Sequence, residues 1–372
     1  MKDYKNYTLS NIVSIATGVP AYKHLQKDLF NFADATFNSN EQDSRKLRFL
    51  YNQSGIAYRH SIIKDFCVPA SERNFFSLED GKTQVPDIAQ RMALYNQFAA
   101  PLSVKVIEDC IAPFINKNDI THLITVSCTG MSAPGLDLQI MEAMDLPNNI
   151  VRTSINFMGC YAAIHGMRLA DAFCKTNPNA NVVVVCTEFC TLHFQSAYTV
   201  DNLTASLLFA DGCAAFLMQA QHQHKGLQLQ NFYAEVSFKG KKDMAWELSP
   251  TGFLMTLSGY IPELVKADFD KLVTNALQKS NLTKKDVTQW CVHPGGKKIL
   301  QSIEDSMHLQ NTALQFSYDV LNDYGNMSSP TILFVLKKIL ENLQQTNATN
   351  ETIFGAAFGP GLTMETFTAT YG

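Results

Sequence analysis

One order of segments occurs twice in this chain, and that repeat limits the possible folds more than any single motif. In the first half a strand-like run, Thr121 to Ser127, ends in the glycine-bearing loop CTGMSAPG, and a helical pattern follows from about Leu136 to Met144. Next comes an extended segment running into Gly159-Cys160-Tyr161 and a small-residue helical stretch to Cys174. The half closes with two apolar runs, Asn181 to Cys186 and Asp211 to Met218. In the second half Thr288 to Val292 runs into His293-Pro294-Gly295-Gly296, and Gly325-Asn326-Met327 opens a helical run from Thr331 to Leu343. Glu351 to Phe358 and Thr363 to Thr370 then make a closing strand pair. Near-continuous apolar runs are what buried parallel or mixed strands look like. The pattern predicts a duplicated α/β unit, divided at 1–220 and 221–372, in which two helix N-termini meet near a pseudo-twofold axis. A first strand over Asn11 to Ala16 and a helix from about Ala89 to Asn116 complete the first half.

Within that frame one thiol stands out. Cys160 follows an extended segment and a glycine and opens a helix, where unpaired N–H groups and the positive end of the helix dipole favour an anion. On that ground it is expected to ionise more readily than a free cysteine. The other cysteines, Cys67, Cys110, Cys128, Cys174, Cys186, Cys190, Cys213 and Cys291, lie mostly in apolar company and read as reduced core residues. No pair has zinc-ligand spacing with a matching His or Cys pair downstream, so no metal is expected.

Composition narrows the function. With 46% hydrophobic and 17% charged residues in 372, the chain has material for a large core. A formal net charge of -4 and the absence of like-charge runs argue against a nucleic-acid or membrane-surface partner. The opening residues MKDYKNYTLSNIVSIATGVP have no signal-peptide cleavage pattern, and no apolar stretch reaches the length of a membrane span. A cytoplasmic protein is expected.

If the two halves pack face to face, Cys160, His293 and Asn326 all fall at strand ends or helix starts on one side of the sheets, where ligands bind in α/β folds. A thiol beside an imidazole can pass it a proton, the usual activation for acyl transfer through cysteine. An imidazole N–H and an amide N–H can donate together to a developing oxyanion or enolate. Taken singly, each residue also has a plain structural role: a small thiol packing beside glycine, a histidine ending a strand before a Pro-Gly-Gly turn, an asparagine capping a helix. The functional reading rests on their occurring together.

Four segments carry a resemblance: NFMGCYAA, VHPGGKKIL, YGNMSSPTILFVL and FGPGLTMET. In order and approximate spacing they resemble the type III polyketide synthases, the chalcone and stilbene synthase family of the thiolase superfamily, as bacterial members have it. That resemblance implies a thiolase-like α-β-α-β-α sandwich, a homodimer, and an acyltransferase working on an acyl-CoA starter and malonyl-CoA. Coenzyme A thioesters are then the only partners the reaction needs, and no cofactor is expected. Cys160 is implied as the acyl-carrying nucleophile, with His293 and Asn326 completing the triad. Iterative decarboxylative condensation would lead, after cyclisation, to a pyrone, resorcinol or related polyketide.

The same resemblance assigns further positions. Phe194 matches an aromatic gatekeeper, and Met255 falls where plant chalcone synthases carry a second phenylalanine. Cys128, Thr129 and Ala133 match cavity positions, the last reaching in from a neighbouring subunit, and Gly359, Pro360 and Gly361 shape the cavity floor. Met255, Cys128 and Ala133 together suggest room for an alkyl chain, hence a fatty acyl starter. Arg48, Arg59, His60 and Lys64 resemble a basic coenzyme A site, with Gln53 where plant enzymes place a lysine, and Lys297 and Lys298 are added candidates for the phosphates. The nearest rival is a single-condensation enzyme like ketoacyl-carrier-protein synthase III, using the same Cys, His and Asn. The HPGG and FGPGLTMET segments favour the polyketide synthases over it. A cysteine hydrolase and a non-catalytic binding protein are more distant alternatives.

Overall fold

The computed structural model describes residues 10–220, 224–310 and 312–372; the first nine residues of the N-terminal segment lie outside them. Nine strands form one mixed sheet: β1 (Asn11–Gly18), β2 (His122–Ser127), β3 (Val151–Asn156), β4 (Asn181–Phe189), β5 (Asp211–Gln219), β6 (Leu227–Val236), β7 (Gln289–Val292), β8 (Glu351–Gly359) and β9 (Thr363–Tyr371). Their order is β7-β8-β9-β6-β1-β5-β4-β2-β3. The repeat is plain in that order. Outward from the centre the first half runs β1, β5, β4, β2 and the second runs β6, β9, β8, β7, so like strands stand at like places. The halves are stitched by two antiparallel pairs, Asn11 with Gln228 and Ile12 with Leu227. Parallel pairing is confined to β2 with β3, β2 with β4 and β7 with β8, the strands linked by helical crossovers.

Among the described residues strand β3 has no counterpart in the second half. The residues before Asn326 form a helix, Gln315–Tyr324, and Asn326 meets the sheet's first half through one parallel bridge to Phe209. The repeat is therefore incomplete where the two halves meet at the site.

Two helices lie at the centre. Ala162–Thr176 and Thr331–Gln345 share one apolar cluster with residues of both half-sheets, including Val182, Val184, Phe216, Ile353 and Phe367. Small side chains at Ala162, Ala163, Gly166 and Ala170 let the first of them approach the strands closely; a Cβ on Gly166 would lie 2.8 Å from Val184. The outer faces are covered by Ile88–Ile111 and Leu136–Met144 on one half and by Ile261–Gln278 and Lys297–Met307 on the other, in a second apolar cluster. The result is the expected α-β-α-β-α layering. No described helix is long and apolar enough to cross a membrane.

Candidate active site

Cys160, His293 and Asn326 line one chamber, walled by both halves of the chain. Each arrives on a different element. Cys160 ends the turn after β3, two residues before the central helix Ala162–Thr176. His293 leaves the end of β7, its backbone N–H donating to Ala356 O of β8 at 2.8 Å. Asn326 precedes the second central helix and is pinned by its own turn: Ser328 N–H donates to Asn326 Oδ1 at 2.9 Å. The thiol of Cys160 lies 3.9 Å from the same Oδ1. Asn326 Nδ2 is left with one acceptor, Gly295 O, at a long 3.5 Å. An amide N–H held in that way is ready to donate to a more basic oxygen.

His293 is buried, and neither ring nitrogen has a partner among the described residues. Burial pulls its pKa down to about 3, so the resting ring is neutral. The expectation for Cys160 is reversed. Burial pushes its thiol up to about 12, and the Glu188 carboxyl adds to the rise, while hydrogen bonding with Ser328 and Asn326 offsets only part of it. Desolvation outweighs the helix dipole here because the helix proper starts at Ala162 and the thiol faces an apolar chamber.

A buried carboxylate organises the adjoining wall. Glu188, at the end of β4, accepts from Cys128 N–H at 2.9 Å, Thr129 Oγ1 at 2.7 Å, Ser329 Oγ at 2.7 Å and Cys128 Sγ at 3.2 Å. Burial raises its pKa and the donors lower it. The loop after β2 and the turn before the second central helix are thereby tied to one group. Glu188 was marked in the sequence as a charge inside the apolar run VVVVCTEFC, a signal that the motif reading passed over. Trp246 was missed as well. It lines the chamber and donates from Nε1 to Cys128 O at 2.8 Å.

Of the other predicted positions, Cys128, Thr129, Met255 and Pro360 line the same chamber, with Gly359 and Gly361 flanking Pro360 in the turn after β8. Phe194 does not. It sits in an aromatic cluster with Phe32, Phe37, Phe66 and Phe76 and lines a neighbouring cavity, while Phe209 faces Cys160's chamber. The short helical turn Cys190–His193 carries Phe194 away from the chamber. Ala133 is exposed on its loop and lines neither cavity of this chain. The basic candidates also divide. Arg48, Lys64 and Lys298 are exposed and Lys297 is half-buried against Gly55. Arg59 and His60 are buried, at 3% and 8% exposure, so neither belongs to a surface phosphate site. Among the described residues no group of three or more His, Cys, Asp or Glu is placed to hold a metal ion.

Comparison with known proteins places this geometry in context. The family model for the N-terminal domain of chalcone and stilbene synthases matches residues 3–222, and that for the C-terminal domain matches residues 228–370. A Dictyostelium discoideum protein described as probable polyketide synthase 1 is 29% identical over 378 residues, 97% of this chain; the chain spans only 11% of that protein's length. The alpha-pyrone synthesis polyketide synthase-like Pks18 of Mycobacterium tuberculosis is 28% identical, with 96% of this chain and 90% of the relative covered. Among solved structures, PKS-I from the brown alga Ectocarpus siliculosus superposes with a TM-score of 0.92 at 27% identity, covering 99% of this chain and 100% of the other. The C-terminal type III polyketide synthase domain of Steely1, a type I/III hybrid from Dictyostelium, gives 0.88 at 26%, covering 98% and 99%.

Proposed function

The chain belongs to the chalcone and stilbene synthase family, the type III polyketide synthases, and on that footing we propose that it extends an acyl-CoA starter with malonyl-CoA units on Cys160. One observation carries the reading: a thiol, a neutral imidazole and an amide N–H from three distant segments wall a single apolar chamber.

In the resting chamber the thiol and the imidazole are both neutral. As a starter thioester enters, the Cys160 proton passes to His293, Sγ attacks the acyl carbonyl, and coenzyme A leaves with a proton as the free thiol. Malonyl-CoA then binds with its thioester oxygen against His293 and Asn326 Nδ2. Loss of carbon dioxide leaves an enolate whose negative oxygen those two donors hold. Its carbon attacks the Cys160 thioester, the new carbon–carbon bond replaces the carbon–sulfur bond, and Cys160 is released to accept the lengthened chain for another cycle. Asn326 suits this work because a carboxamide has no acidic proton to quench the carbanion.

The starter we propose is aliphatic. Met244, Met255, Leu257 and Ile299 line the chamber with Cys160, a wall suited to alkyl groups. The product of repeated extension is a pyrone, resorcinol or related ring, and two copies of the chain form the working dimer. The test is mass spectrometry of products from malonyl-CoA with a panel of short, aromatic and long-chain acyl-CoA starters. Polyketides extended from alkyl starters are expected. Release of free malonate without carbon dioxide, or no product from any starter, overturns the reading.

A further inference from the structure

Beside the catalytic chamber lies a second cavity. The two share the lining side chains of Cys190, Phe209, Trp246 and Met255, which therefore stand at the boundary between them. Its wall is largely hydrocarbon and aromatic, with Leu29, Phe32, Phe66, Phe194 and Phe253. One member of that wall is a cation.

Arg59 lines the cavity at 3% exposure. Its guanidinium is fixed at two points: Nε donates to Gln26 Oε1 at 2.9 Å and Nη1 to Phe209 O at 2.7 Å. Nη2 is buried and has no acceptor among the described residues. Burial lowers the Arg59 pKa; the Tyr51 hydroxyl beside the guanidinium opposes that most, and Asp211, whose carboxylate accepts from Thr191 N–H, Thr191 Oγ1 and Ile62 N–H, opposes it less. A buried guanidinium N–H without an acceptor is costly. An arginine fork held rigid on one side and open on the other is suited to a carboxylate. Tyr51 and Ser206, whose hydroxyls lie 3.1 Å apart, and Asn202 line the same cavity and add polar atoms to its wall.

We propose that the second cavity recognises an acyl chain ending in a carboxylate: the starter is the mono-CoA thioester of a dicarboxylic acid, its methylene chain lying among the aromatic side chains and its free carboxylate docked on Arg59 Nη2. The proposal rests on the polyketide synthase reading and narrows its substrate. A coenzyme A phosphate does not fit as the occupant, since Arg59 is the one cation among the groups lining this cavity and the rest of the wall is mostly apolar.

The test compares monocarboxylic acyl-CoA starters with dicarboxylic mono-CoA thioesters of equal carbon number, over roughly six to twelve carbons. Malonyl-CoA is the extender and kcat/KM is read for each pair. The full-length wild type is expected to favour the carboxylated starter by about tenfold or more at the best chain length. Arg59→Gln should lower that ratio by about tenfold, and Arg59→Lys should restore part of it. The ratio is measured within one protein, so a loss of folded enzyme or of coenzyme A affinity cancels. Should Arg59→Gln not fold, Gln26→Leu, which removes one of the guanidinium's two anchors at a residue outside the cavity lining, should lower the ratio in the same direction. A wild-type ratio at or below one for every pair, or a ratio unmoved by these variants, overturns the proposal. Extension of the monocarboxylic starters alone removes this inference and leaves the polyketide synthase reading standing; extension of none removes both.

Discussion

Gly159 and Pro360 are packed so closely that a Cβ added to the glycine would lie 2.4 Å from the proline Cδ. The contact joins the turn that carries Cys160, in the first half of the chain, to the turn after β8 in the second. Gly159 also has φ +81°, a backbone region that side chains rarely adopt. Gly159→Ala therefore meets strain and a clash together. We expect a loss of roughly 2 kcal/mol or more in stability, read by denaturant unfolding, and slower acylation of Cys160, read by intact-protein mass spectrometry.

The thiol of Cys160 gives a second prediction. With its pKa at about 12, the thiolate fraction of the free enzyme is small at neutral pH and grows about tenfold per pH unit below that value. Alkylation of Cys160 by iodoacetamide, followed by peptide mapping to separate it from exposed Cys67, should rise steadily from pH 7 to 10. A plateau starting near pH 7 would mean that a standing thiolate–imidazolium pair exists without substrate, contrary to the desolvation argument.

The buried histidines set the response to acid. Burial holds His293 and His193 neutral, each with its pKa pulled down to about 3. In the unfolded chain they bind protons below about pH 6.5, so between there and about pH 3 the unfolded state carries more protons than the native one. Stability in that window rises with pH, and is lost as pH falls, by about 1.4 kcal/mol per pH unit for each histidine. Denaturant unfolding at several pH values should show this slope, and His293→Gln should reduce it by one histidine's share.

Glu188 offers a test of the wall beside the thiol. Its carboxylate faces donors from Cys128, Thr129 and Ser329, and the amide of Glu188→Gln would turn an N–H₂ group against some of them. With buried donors left unpaired, stability should fall by about 3 kcal/mol. The loss should be accompanied by a lower kcat, because Ser329 adjoins Ser328, whose N–H orients Asn326.

Much of this was legible in the residues. The run NVVVVC could only be a buried strand, and the helix read over Leu136 to Met144 has those bounds in the structure. Cys160, His293 and Asn326 stood out because each lies within two residues of a glycine at the edge of a periodic segment. What escaped were quantities set by distant packing. The acidity of Cys160 depends on how much water the chamber excludes, which no local pattern encodes. Phe194 and Phe209 are fifteen positions apart in similar apolar surroundings, and only the folded chain shows that Phe209, not Phe194, lines the chamber of the thiol. Arg59 read as one of several surface cations until folding buried it beneath the bridge between Phe209 and Asn326.

Trp246 bears on the length of the growing chain. It stands in the wall common to both cavities, with its ring 5.7 Å from that of His193 and its indole N–H on Cys128 O. Trp246→Ala removes the largest side chain of that wall and joins the two spaces. The lost burial and hydrogen bond should cost roughly 2 to 3 kcal/mol, so the variant must first be shown folded. With alkyl starters it should then give products carrying longer side chains or more extensions than the wild type. Trp246→Phe, which keeps most of the bulk and loses the hydrogen bond, should leave the product lengths nearly unchanged. An identical product distribution from all three proteins would mean that growing chains never reach this wall, and that chain length is set elsewhere in the chamber.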